Sequence, residues 1–121
     1  MKLITWNVRS LRRSEKKRAM RRLFSLKKCS MIFIQESKLQ DVNVKTLRFL
    51  GGSDMIKGEV VGSVGASGGL ISRWDENFFS LEDKIVAERY VLLVGVIKHL
   101  NFKCGFGNIY APNDDRERQI F

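Results

Sequence analysis

The sequence of 121 residues is short of several residue types on which common sites are built. It holds two cysteines, Cys29 and Cys104, too few for a disulfide framework or for a zinc site made of cysteine alone. Both are therefore read as reduced thiols of an intracellular protein. No apolar run approaches the ~20 residues that span a bilayer, which excludes a helical membrane protein. The N-terminus has a lysine but no apolar core ahead of a small-residue cleavage site, so no secretory signal is expected. The one proline, Pro112, ends a strand because it lacks the N–H donor. No internal repeat and no low-complexity linker divides the chain, and a single domain is expected at this length.

Positive charge is abundant and unevenly placed. The balance of 22 Lys+Arg against 13 Asp+Glu gives a net charge of +9 and a pI near 9.9. Hydrophobic residues reach 44%, so the chain is not a disordered polyelectrolyte. Ten of the basic side chains fall between residues 9 and 28: Arg9, Arg12, Arg13, Lys16, Lys17, Arg18, Arg21, Arg22, Lys27 and Lys28. Glu15 is the one acid there, and the other 12 basic and 12 acidic residues cancel. Such a segment is the footprint of a polyanion partner or, equally, a solvated helix face that aids solubility.

The pattern alternates between strands and helix. Lys2 to Val8 reads as a short strand buried on both faces. Ser14 is a candidate N-cap with Glu15 in the first turn. Ala19, Met20, Leu23, Phe24 and Lys27 then recur at helical spacing, with Arg18, Arg21, Arg22, Ser25 and Lys28 opposite. Met31 to Gln35 is the next strand, so the chain opens as a βαβ unit. Residues 37 to 50 suggest a short helix closed by Gly51 and Gly52. The glycine-rich stretch from Gly58 to Gly69 reads as loop or hairpin. Leu70 to Trp74 is a strand, Asp75-Glu76-Asn77 a turn and Phe78 to Leu81 another strand. Tyr90 to Ile97 and Phe102 to Tyr110 form an antiparallel hairpin about Lys98–Asn101, with Phe102, Cys104, Phe106, Asn108 and Tyr110 on one face. A further helix is expected from Asp114. The whole is a layered α/β protein with a mixed sheet.

Polar residues gather where strands end. A right-handed crossover makes the first two strands parallel, so Asn7 and Glu36 emerge at one edge of the sheet. Tyr110 ends the last strand, with Asn113 just beyond. Such positions on a rigid scaffold commonly form sites, and a lone carboxylate there suits a hard cation such as Mg²⁺. The bland readings, a solvated glutamate and a turn-forming asparagine, remain open for each residue alone.

Four blocks occur in order: Thr5-Trp6-Asn7-Val8-Arg9, Phe33-Ile34-Gln35-Glu36-Ser37-Lys38, Ser67-Gly68-Gly69-Leu70 and Asn108-Ile109-Tyr110-Ala111-Pro112-Asn113. Together they resemble the endonuclease/exonuclease/phosphatase superfamily, which includes AP endonucleases and DNase I. The nearest likeness is to the endonuclease domain of plant-type non-LTR (LINE) retrotransposons. The resemblance implies a DNase I-like two-sheet α/β sandwich with outer helices, of which residues 1–121 form the N-terminal portion. It implies a DNA-cleaving phosphodiesterase dependent on Mg²⁺ or Mn²⁺. Asn7 would orient the catalytic groups, Glu36 would hold the metal and Tyr110 would contact the scissile phosphate. Asn113 and Arg9 would bind substrate, and Ser67 and Gly68 would be structural.

The chain also departs from that family. Its Gly-Asp-x-Asn and Ser-Asp-His motifs, which position the nucleophile and supply the general base, are missing. The only histidine, His99, lies in the turn between two strands and matches no family position. The chain alone is therefore expected to be inactive. Half a sandwich would leave strands such as Val91–Val94 and Val96 without partners and so open a route to self-association. Two other functions stay in view: a basic nucleic-acid-binding module, and a retroelement remnant without function. The expected location is nuclear or cytoplasmic.

Overall fold

The computed structural model describes residues 2–27, 29–43, 45–46, 57–64 and 68–111. Its elements are β1 (Leu3–Asn7), α1 (Ser14–Lys27), β2 (Met31–Gln35), β3 (Lys57–Val61), β4 (Leu70–Trp74), β5 (Phe79–Val86), β6 (Tyr90–Ile97) and β7 (Phe102–Ile109), with a 3₁₀ turn at Lys98–Leu100. They build a mixed four-stranded sheet in the order β1-β2-β4-β3 and an antiparallel three-stranded sheet in the order β5-β6-β7. Among the described residues no helix is long and apolar enough to cross a membrane.

The βαβ opening forms as its pattern predicts. β1 and β2 run parallel, with Leu3 opposite Met31 and Asn7 opposite Gln35. β2 is apolar without alternation because both of its faces are covered. Ile32 and Ile34 pack with Met20 and Phe24 of α1, together with Val8, Leu11, Cys29 and Ile71. Met31 and Phe33 face the other sheet and join Leu70, Trp74, Phe78, Phe79, Val91, Leu93 and Ile97. Phe79 and Phe106 meet edge-on at 5.4 Å in this second core. Burial of side chains such as Met20 and Phe24 stabilises by roughly 1.5–3 kcal/mol each.

β1 differs from expectation. It is an edge strand, and only Ile4 packs against the helix-side core, while Leu3 and Trp6 are 41% and 38% exposed. A strand with one lateral neighbour among the described residues has half its surroundings open, whatever its composition.

The glycine-rich stretch also differs. Its start, Lys57–Val61, is strand β3, antiparallel to β4. Gly58 belongs there because a Cβ would lie 2.9 Å from Cδ of Arg73, whose large side chain is fully buried. β5 is longer than expected and carries an irregularity between Leu81 and Asp83. β6 is not short of lateral partners: β5 and β7 flank it on both sides. Val91, Leu93 and Ile97 face the core, and Leu92, Val94 and Val96 are half-buried on the outer face. The exposed apolar groups of this sheet among the described residues are instead Ile85, Val86, Tyr90, Phe102 and Ile109. Residues 37–43 are irregular. Asn43 Oδ1 accepts from the Thr46 N–H at 2.9 Å in the manner of an N-cap. The remainder of the helix expected over 37–50, and the one expected from Asp114, lie outside the described residues.

Candidate functional site

The parallel pairing of β1 and β2 brings their C-terminal ends to one edge. The Val8 N–H donates to the Gln35 carbonyl at 3.1 Å, so the chain leaves β1 beside the turn that carries Glu36. The loop entering α1 then lies on that turn: the Leu11 N–H donates to Ser37 O at 2.7 Å, and Arg12 Nε donates to Lys38 O at 3.2 Å. From the other side, the Ser37 and Lys38 N–H groups donate to Gly69 O and Gly68 O at 3.2 and 3.0 Å. Gly69 has φ +96°, and a Cβ there would collide with Ser37 Oγ, so only glycine fits. A Cβ on Gly68 would stand 3.9 Å from Cε2 of Tyr110, which places the aromatic ring beside this loop. Four segments distant in sequence thus meet at one place.

Their backbone is unusual. Arg9, Ser10, Glu36 and Lys38 have φ of 57°, 130°, 54° and 57°. Left-handed geometry costs a residue with a Cβ about 1–2 kcal/mol, and such outliers cluster at functional sites. Here the hydrogen bonds through residues 37, 38, 68 and 69 hold the conformation.

Beneath this edge runs a chain of polar side chains. Gln35 Nε2 donates to Thr5 Oγ1 at 2.9 Å and to Asn108 Oδ1 at 2.7 Å. Asn108 Nδ2 donates to Ser72 Oγ at 3.0 Å and to Ile71 O at 3.1 Å. Asn108 is 1% exposed, so these bonds meet the demand of a buried amide. The network ties β7 of one sheet to β2 and β4 of the other. The alternation in the sequence puts Asn108 on one face with Phe102, Cys104, Phe106 and Tyr110 but does not by itself reveal this role. The signal was an amide on a face otherwise made of Phe102, Cys104, Phe106 and Tyr110.

The structure brings the segments that carry Asn7, Glu36 and Tyr110 to one edge. Glu36 is buried at the turn. Asn7 is exposed, and its Oδ1 accepts from the Arg9 N–H at 3.2 Å, an Asx turn that turns Arg9 outward into solvent. Tyr110 is half-buried, with its N–H on Arg89 O at 2.8 Å. Beside it lies a cleft of about 180 Å³ lined by Gly62, Val64, Gly68, Gly69, Glu88, Arg89 and Tyr110. Glu88 and Arg89, from the turn before β6, were not read as site residues. Asn113 and Ser67 lie outside the described residues.

His99 is elsewhere. It is exposed in the 3₁₀ turn after β6, its ring centroid 6.0 Å from that of Phe78. Tyr90 pairs with Ile109 at one end of the hairpin and Ile97 with Phe102 at the other. A strand of that length separates His99 from Tyr110 by about 23 Å.

Among the described residues no group of three His, Cys, Asp or Glu side chains converges on a cation site. Glu36 contributes a single carboxylate, buried at the turn. A lone carboxylate is a hard oxygen donor, of the kind that Mg²⁺ or Mn²⁺ takes as one ligand among waters. The chain matches no protein-family model and no curated protein.

Proposed function

We propose that this chain is the N-terminal part of a divalent-cation-dependent phosphodiesterase of the endonuclease/exonuclease/phosphatase kind, acting on DNA, and that it forms part of a DNase I-like sandwich. The supporting observation is the meeting of the Asn7, Glu36, Gly68-Gly69 and Tyr110 segments at one edge, on a backbone strained at Arg9, Ser10, Glu36 and Lys38.

In this reading Glu36 would hold the cation through its carboxylate. When bound, such a cation would neutralise charge at the phosphate. Asn7 and Tyr110 present neutral donors to the phosphate oxygens, where charge grows as the bond breaks. Arg9 is exposed and free of the core, suited to a neighbouring phosphate, and Asn113 shares that substrate role. A general base must lie within hydrogen-bond reach of the attacking water. His99, the one histidine of the sequence, is at the wrong end of the sheet for that role, and the chain is expected to hydrolyse little by itself.

The test is a Mn²⁺ titration followed by amide NMR. Broadening centred on residues 7–10, 36–38 and 110, abolished in Glu36→Gln, is expected. Broadening centred elsewhere, or unchanged in the variant, overturns the reading. Plasmid nicking by the chain alone, lost in Glu36→Ala, would instead overturn its predicted inactivity.

A further inference from the structure

We infer that the solvent face of α1 is a binding rail for the phosphate backbone of duplex DNA, adjoining the strand-end site. Met20 and Phe24 sink into the helix-side core at 0% and 4% exposure, which fixes the helix in rotation. Arg18 and Arg22 then stand exposed one turn apart on the opposite face. They are like charges at an i, i+4 spacing, an arrangement that works against an isolated helix. An opposing polyanion turns that repulsion into attraction.

The rail extends toward the strand-end edge. Arg9, Arg12 and Arg13 are exposed in the preceding loop, and Arg12 Nε is bonded to Lys38 O beside the turn of Glu36. Fourteen helical residues cover about 21 Å, a little over half a turn of B-form duplex. An anionic membrane is the other common partner of a basic helix, but it requires an apolar face to insert. In α1 that face, Met20 and Phe24, is occupied by the core. The inference requires a polyanion and not a cleavage reaction, so it stands or falls independently of the proposed chemistry.

The experiment is fluorescence anisotropy of a labelled, mixed-sequence DNA duplex across a salt series, in EDTA so that no hydrolysis occurs. Log affinity is expected to fall linearly with log salt. Arg18→Ala/Arg22→Ala should reduce the slope by about 2, at ~0.9 per lost phosphate contact, while Arg18→Lys/Arg22→Lys keeps it. Lys103→Ala, a cation on β7, should leave the slope as it is. An unchanged slope in the Arg18/Arg22 alanine pair, or an equal drop in Lys103→Ala, overturns the inference. So does displacement of the chain from DNA by phosphatidylserine vesicles at equal phosphate concentration. Circular dichroism of each variant confirms the fold, since both arginines are on the surface.

Discussion

The carboxamide of Asn108, on β7, donates to the hydroxyl oxygen of Ser72, on β4, across 3.0 Å of otherwise apolar interior between the two sheets. The same nitrogen reaches Ile71 O, and the amide oxygen accepts from Gln35. One side chain thereby ties β7 to both β2 and β4, beside the apolar core that joins the two sheets.

Asn108→Ala should therefore cost more than a lost contact. It removes the partner of Ser72 Oγ at 3.0 Å and leaves Gln35 one acceptor short. A loss of about 2–3 kcal/mol is expected from urea denaturation. A double-mutant cycle with Ser72→Ala should show coupling of about 0.5–1.5 kcal/mol. Additive losses would mean that the two groups act independently.

Gly69→Ala should be among the more damaging changes at the candidate site. It forces a Cβ into a φ of +96° and against Ser37 Oγ. The expected loss is about 2 kcal/mol or more. Ser37→Ala removes one of the two obstacles, so the double variant should recover part of the stability in the same assay. The backbone angle accounts for the part that stays lost.

Position 38 offers a graded test of strain. Lys38 has φ 57°, and its N–H and carbonyl bonds to Gly68 and Arg12 belong to backbone atoms that any residue keeps. Lys38→Gly should be neutral or stabilising by up to about 1 kcal/mol. Lys38→Val should cost about 1–2 kcal/mol, because a branched Cβ suits the left-handed region worst. Thermal midpoints in the order Gly, Lys, Val check this, and an inverted order refutes it.

The edge strand carries a solubility prediction. Trp6 is 38% exposed on β1, the outermost strand of its sheet. Trp6→Lys places a charge on that edge, a device by which sheets resist edge-to-edge pairing. Sedimentation velocity should show less concentration-dependent association in the variant. Identical behaviour would place any association elsewhere, with the exposed Ile85 and Ile109 next in line.

The parts of the fold legible in the sequence are local ones. The β1–α1–β2 unit follows from a short apolar strand, Met20, Leu23 and Phe24 at helical spacing, and a second apolar strand. The β6–β7 hairpin follows from two strand patterns around a turn at 98–101. The shared edge of Asn7 and Glu36 follows from the parallel pairing that a helical crossover between strands imposes. β3 was hidden because glycines normally mark loops, and Gly58 is there for the neighbouring Arg73 side chain.

What the sequence alone determined is which residues share a face and which polar groups stand at strand ends, because a period of two or 3.6 is a property of the backbone. What only the tertiary structure decided is which face meets which. β4 inserts between β2 and β3, leaving β1 at an edge with Trp6 exposed. Asn108 finds Gln35, 73 residues away, and Ser72 beneath it. Gly68 and Gly69 close on Ser37 and Lys38, which remain near the left-handed turn at Glu36. The physical reason is that local strain and a buried amide are tolerated only where contacts from several distant segments add up to outweigh their cost.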